Sequence, residues 1–376
     1  MRESPGAVVP DRPSVVVTLA PLADGPALAR DWLDLEGRAG RDASFFLSWL
    51  WVGCWLDHLG AGDRPYRLTV RDAGGAVVGL AVLVERTRRR LGLRPRRQWW
   101  LHETGDRALD CLCMEYNGIL AAATMAAEVT RAALGLLAET CDELILGGIG
   151  ADLAAIAEGV PGRLPRMIAR APSPWLDLDA VRRAGGDPLA LAGPSTRAAV
   201  RRSLRLYGER GPVALRVAAT GAEAQETLSV LRDLHQRDWT GRGRPGAFAP
   251  PRFEPFHRAL IGRAFASGAV ELCRITAGDR TIGALYNFVW RGRVHAYQSG
   301  FDRPEGDNRL KPGLLSHDLA IRHAVAAGRE RYDFMAGDGR HKRALSSGAD
   351  TLCWLALDAD TPVTRLEHRL RRWLGR

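Results

Sequence analysis

The sequence predicts an α+β protein with a mixed α/β sheet, assembled from two tandem copies of one unit of about 150 residues. Three observations carry that reading. AGGAVVG at 73–79 and AGDRTIG at 277–283 share the pattern Ala-Gly-x-x-x-(Val/Ile)-Gly, each between apolar, strand-like flanks. After each comes a helical segment, MAAEVTRAALGLLAETC or GLLSHDLAIRHAVAAG, and then a short strand, DELILGG or RYDFMAG. Finally, 376 residues with 46% hydrophobic and 26% charged side chains describe a soluble globular chain long enough for two domains.

Taken in order, the elements divide the chain into four parts. Residues 14–171 read as the first, degenerate copy, with YRLTVRD–AGG–AVVGLAVLVER as strand, turn and strand. The opening MRESPGAVVPDRPSVVV lacks the charge pattern and apolar core of a signal peptide, so none is expected. Residues 172–211, with PSP, AGGDP and AGPST, read as a turn-rich linker leading into a helix that Ser195 or Thr196 would cap. Arg197, Arg201 and Arg205, four apart, make one basic stripe on that helix. The second copy, 212–358, contains AVELCRITAGDRTIGALYNFVW, a strand at 294–301, a helix at 313–327 and a strand at 331–336. The tail, 359–376, reads as a basic amphipathic helix. Leu366, Leu370 and Trp373 are expected to dock on the body, with contact to a membrane surface as the alternative.

Charge is uneven between the halves. Residues 1–188 hold 22 basic and 24 acidic side chains, a net −2, whereas residues 189–376 hold 31 and 19, a net +12. An anionic partner for the second half follows: phosphate, nucleotide, nucleic acid or a membrane surface. No apolar run approaches the roughly 20 residues needed to span a bilayer. The six cysteines have no CxxC spacing, and Cys111 and Cys113 read as one face of a strand packed in the core of a cytoplasmic protein. No metal site is expected.

Signatures of a P-loop, a zincin, an α/β-hydrolase and an EF-hand are all missing. Gly241, Gly243 and Gly246 spell GxGxxG, but Pro245 and the following AFAPPRF cannot open the helix a dinucleotide site needs. More informative is NRLKPGLLSHDLAIRHAVAAG at 308–328. Pro312 suits a first helical turn, and Arg309 and Lys311 stand just before it. Helix-start amides at Gly313 and Leu314 beside two cations make a phosphate site. The strand that follows ends in a polar knot, GDGRHKR at 337–343. Of 53 basic residues only Lys311 and Lys342 are lysines. Either two rare codons survived by chance, or each lysine stands where a compact, tunable charge is wanted rather than a rigid fork.

The run RLKPGLLSHDLAI…G…RYDFMAGDGRHKR resembles the C-terminal part of the CelD-like acyltransferases of the GNAT superfamily, relatives of the Fem-type peptidyl aminoacyltransferases with two tandem GNAT-like domains. The resemblance is strongest over about residues 195–345, and its most specific piece is Asp333, Phe334, Gly337, Asp338 and Lys342. It implies acyl transfer to an amine or hydroxyl from acyl-CoA or aminoacyl-tRNA, with a V-shaped opening between two central strands for the donor. The usual GNAT pyrophosphate loop, Arg/Gln-x-x-Gly-x-Gly/Ala, is replaced by Arg309–Gly313 with Pro312, and His341 stands where an aromatic often precedes the lysine.

The reaction that follows is acyl-CoA-dependent N- or O-acylation, with a cell-envelope or exopolysaccharide precursor, polysaccharide or lipid-linked, as acceptor. Asp338 or His341 would be the general base, Lys342 an electrostatic clamp, and Asp333 either a further catalytic group or an ion-pair partner. Arg309, Lys311, Pro312, Gly313 and Leu314 would hold the donor's phosphates, and Tyr297 and Gln298 would line the acceptor side. The alternatives are aminoacyl-tRNA-dependent transfer, ranked lower for want of a heptad hairpin, and a catalytically silent binding module. A cytoplasmic location, with or without peripheral membrane contact, is expected.

Overall fold

The computed structural model describes residues 14–89, 95–303 and 307–373. Thirteen strands form one sheet: β1 (Val15–Pro21), β2 (Pro65–Asp72), β3 (Val77–Arg89), β4 (Pro95–Leu101), β5 (Leu120–Ala121), β6 (Glu143–Gly150), β7 (Arg163–Asp177), β8 (Val213–Val217), β9 (Val270–Ala277), β10 (Arg280–Trp290), β11 (Arg293–Phe301), β12 (Arg331–Asp333) and β13 (Gly348–Ala359). Their order is β1-β2-β3-β4-β6-β13-β7-β12-β11-β10-β9-β8, with β5 paired to β3 off that path.

The order is a palindrome of the two copies. In each, four antiparallel strands lead to a parallel pair, β4 with β6 and β11 with β12. The last strand of each copy then inserts beside the other copy, so β7 pairs with β12 and β13 with β6. The exchange binds the halves into one sheet along twelve residue pairs between β7 and β13. Aromatic packing reinforces it. Phe45 stacks on Phe288 at 4.3 Å between ring centroids, and Trp51 packs edge-on to Phe256 at 4.9 Å. All four rings are buried, and truncating any one would cost about 3–5 kcal/mol.

Four local expectations are corrected. Pro172 does not begin a linker, because residues 163–177 are one continuous strand. Pro172 and Pro174 are tolerated there because they lie beyond Trp175, where the short pairing with β12 ends; their carbonyls accept from Gly337 and Phe334 instead. The basic helix runs Pro194–Gly208 with Gly193 as its cap, since Pro194 takes the first helical position and leaves Ser195 and Thr196 inside the first turn. The strand expected at 331–336 stops at Asp333, because Met335 (φ +62°) and Gly337 (φ +124°) turn the chain away. Cys111 and Cys113 lie in a turn after the helix Arg107–Asp110, not on a strand, and all six cysteines are free. Among the described residues no helix is long and apolar enough to cross a membrane.

Candidate functional site

β11 and β12 run side by side for only three residue pairs, ending at His295 and Asp333. Beyond them β11 continues to Phe301 while the other chain turns off, so the parallel pair splays into a wedge. A bulge in the pairing with β10 falls at Tyr297, inside the splayed part. The helix Pro312–Ala326 and the six-residue helix Arg340–Leu345 send His317, and His341 and Lys342, to the lining of the wedge.

Two cavities open there. The first, of about 570 Å³, is lined by Ser195, Thr196, Lys311–Leu314, Phe301 and the side chains of Arg303, Arg340, His341 and Arg343. Two helix starts meet in it, Pro194–Gly208 and Pro312–Ala326, each with proline in the first turn and no side-chain cap. The Lys311 N–H donates to Ser203 Oγ at 3.0 Å, which ties the two helices together. Converging positive helix ends, uncapped amides and several cations favour an anion with more than one charged group. A Cβ on Gly313 would meet the Phe301 ring at 3.2–3.5 Å, so the backbone is packed closely at this point.

The second cavity, of about 460 Å³, is lined by Glu115, Tyr297, Gln298, His341 and Lys342, among others. His341 borders both. Its ring stacks on buried His317 at 5.7 Å, and burial, with Lys342 and Arg303 nearby, lowers its pKa to about 4. It is therefore neutral near pH 7. Lys342 Nζ donates to the carbonyls of Met335 (3.0 Å) and Ala336 (2.6 Å), and burial lowers its pKa. The Ala336 N–H donates to Glu115 Oε2 at 2.6 Å. Burial raises the Glu115 pKa to about 7, against the opposing pull of the Ala336 N–H and Lys342.

Glu115 comes from the first copy, and its placement has a visible cause. Asn117 sits where the first copy's own wedge would open, and its amide donates to Leu101 O at the end of β4 (2.9 Å) and to Gly147 O of β6 (3.0 Å). With the wedge plugged, the left-handed turn at Tyr116 (φ +51°) projects Glu115 and Tyr116 toward the second copy.

The predicted residues fall into two groups. Lys311, Pro312, Gly313 and Leu314 line the first cavity, Tyr297, Gln298 and Lys342 the second, and His341 both. The other three do not line either. Arg309 is held in a two-bond ion pair with Asp307 (2.9 and 3.0 Å). Asp338 is exposed and pairs with Arg343 at 3.0 Å. Asp333 is buried and accepts from Tyr116 Oη (2.6 Å), Met335 N (2.8 Å), Ser173 Oγ (3.0 Å) and Arg331 Nη2 (3.0 Å). Its lone pairs are committed to holding the turn. Glu115 was missed because MEYNG at 114–118 carries no motif and lies more than 200 residues from the knot it joins.

Residues 194–343 match the family described as acetyltransferase (GNAT) domain. No curated protein matches the chain. Among solved structures, FemX superposes with a TM-score of 0.59 at 10% identity, covering 90% of this chain and 98% of that one. L-PGS from Bacillus licheniformis gives 0.51 at 12% identity, covering 93% and 97%. The C-terminal domain of a protein provisionally named a lysylphosphatidylglycerol synthetase, from Agrobacterium fabrum, gives 0.53 at 11%, covering 91% and 94%. At such identities these likenesses establish the fold. The chain thus shares the overall fold of these structures over nearly its whole length, and the matched GNAT domain, residues 194–343, supplies most of the lining of both cavities.

Proposed function

We propose that the protein transfers an acyl group from a phosphate-bearing donor, acyl-CoA, to an amine or hydroxyl acceptor. The observation that carries this reading is the meeting of the two cavities at His341. One is lined by cations and two uncapped helix starts, and the other holds a carboxylate whose pKa burial raises to about 7. The donor's phosphates would sit against Lys311, Arg340, Arg343 and the amides at Gly313 and Leu314. Its thioester would lie in the wedge beside His341. The acceptor would enter beside Gln298, and Glu115 would take its proton as the new C–N or C–O bond forms and the C–S bond breaks. Neutral His341 can present a ring N–H or a lone pair without bringing a like charge to Lys342.

Lys342 acts in this scheme mainly by holding the Met335–Gly337 turn, and through it Glu115. Asp338, Arg309 and Asp333 have no part in the chemistry. The acceptor class, a cell-envelope or exopolysaccharide precursor, rests on the CelD-like resemblance of the sequence. Calorimetric titration of acetyl-CoA and longer acyl-CoAs into the wild type and Lys311→Ala tests the reading. Binding that weakens several-fold in the variant supports it, and absence of binding by every acyl-CoA overturns it. One observation favours a second donor in that event. Arg201, Arg202 and Arg205 are exposed on the helix whose start enters the first cavity, a surface suited to the backbone of a charged tRNA.

A further inference from the structure

The helix Pro362–Trp373 is inverted relative to an ordinary surface helix. Its polar side chains face the body. Thr364 and Glu367 are buried, Glu367 accepts from Arg96 at 2.9 Å, and half-buried His368 pairs with Asp358 at 2.8 Å. Its apolar side chains face outward: Val363, Leu366, Leu370 and Trp373, at helical spacing, form one continuous stripe. Trp373 is 82% exposed, the highest of any large apolar side chain described, and four of the eleven such exposed side chains are on this one helix. The expected docking of Leu366, Leu370 and Trp373 on the body is therefore wrong, because polar contacts, Arg96 with Glu367 and His368 with Asp358, already occupy the inner face.

We propose that this helix docks the protein on an anionic lipid surface. At about 100° per residue, exposed Arg369 borders the stripe beside Trp373 and exposed Arg372 lies farther round on the same side, so both long side chains can reach headgroup phosphates while the apolar residues enter the acyl boundary. A second copy is a poor occupant. A stripe of four side chains falls well short of the ~800 Å² per partner of a stable dimer, and face-to-face pairing would gather the arginines of both copies. The Arg96–Glu367 ion pair and the His368–Asp358 contact at the inner face fix the helix, so the stripe is presented without prior rearrangement.

Flotation of the full chain with vesicles tests this, using phosphatidylcholine alone and phosphatidylcholine mixed with phosphatidylglycerol. The wild type should float with the mixed vesicles and lose most binding as salt is raised. Leu366→Glu/Leu370→Glu and, separately, Trp373→Ala should lower the bound fraction, the former at least tenfold. Arg369→Glu/Arg372→Glu should abolish the preference for phosphatidylglycerol. All three sets change exposed side chains, and unchanged circular dichroism and acyl-CoA titration would confirm that the fold persists. Failure of the wild type to float, or undiminished flotation of Leu366→Glu/Leu370→Glu, would overturn the proposal. So would a wild-type dimer that this variant converts to monomer, which would identify a second copy as the occupant.

Discussion

Lys342 and Glu115 grip the same residue from opposite sides. The ammonium donates to the carbonyl of Ala336 at 2.6 Å, and the carboxylate accepts the Ala336 N–H at 2.6 Å. One charge lies in the polar knot of the second copy and the other in a loop of the first. The turn between β12 and the Arg340–Leu345 helix is thus the point where the two copies are coupled, and the predictions below probe that coupling.

Glu115→Gln should lower kcat by roughly 100-fold or more while acyl-CoA binding holds, because only proton removal from the acceptor is lost. In the wild type, kcat/KM should climb with pH and level off above about 7, following ionisation of Glu115. In the variant that limb should vanish. A retained limb would assign the base elsewhere.

The same carboxylate should leave a mark on stability. Burial raises its folded-state pKa to about 7, while the unfolded chain keeps an ordinary glutamate value near 4.5. Between those values the folded protein holds a proton that the unfolded chain has lost, so stability falls as pH rises through the window. Glu115→Gln removes this term, which is on the order of 3 kcal/mol at most. Urea unfolding at pH 5 and pH 8 should show a smaller decline for the variant than for the wild type.

Lys342→Arg should not be conservative. The ammonium reaches two carbonyls of one tight turn, and a Cβ on Gly337 would already stand 3.4 Å from Nζ, leaving little room for a planar fork. We expect a loss of roughly 1–3 kcal/mol in stability, since misplaced donors leave buried carbonyls unpaired, and a kcat/KM at least tenfold lower. Wild-type behaviour would show that the rarity of lysine in this chain has no bearing on its position.

Much of the second copy was legible in the sequence because its determinants are local. Pro312 and Gly328 bound a helix, the run before Asp333 reads as a strand, and Lys311 to Leu314 line one cavity together as a single local stretch. The repeat was legible for the same reason, since a turn and its flanking strands recur. The exchange of β7 and β13 was not, because sheet partners far apart in sequence leave no trace in periodicity. Nor was Glu115, whose role depends on Asn117 plugging a wedge in the other copy. The knot misled in detail. The six-residue helix turns His341 and Lys342 toward different neighbours and leaves Asp338 exposed in the turn before it, and adjacency in sequence concealed that.

Asp333→Asn should behave as a structural lesion. The carboxylate accepts four hydrogen bonds, one from Arg331 and one from the Tyr116 hydroxyl of the plugging loop. Removing the charge weakens a buried ion pair and sets an amide N–H against at least one donor, a cost of roughly 2–4 kcal/mol. The pH profile of the folded fraction should keep its limb near 7. Displacement of that limb would return Asp333 to the catalytic set.

The donor cavity makes the last prediction. Lys311, Arg340 and Arg343 line it together with the first turns of two uncapped helices, and among the described residues the only side-chain anion paired to these cations, Asp338, is itself exposed. Attraction to a polyanionic donor should therefore be strong at low ionic strength and weaken steeply with salt. Lys311→Ala and Arg340→Ala should each cut acyl-CoA affinity roughly five- to tenfold and flatten the salt dependence. Gly313→Val should act differently. Its side chain would press on Phe301 and cover the amides of the first turn, so affinity should fall at every salt concentration. Titrations at several ionic strengths separate the two effects. If Gly313→Val leaves affinity intact while the charge variants lower it, the donor binds by the cations alone and the helix start is not its seat.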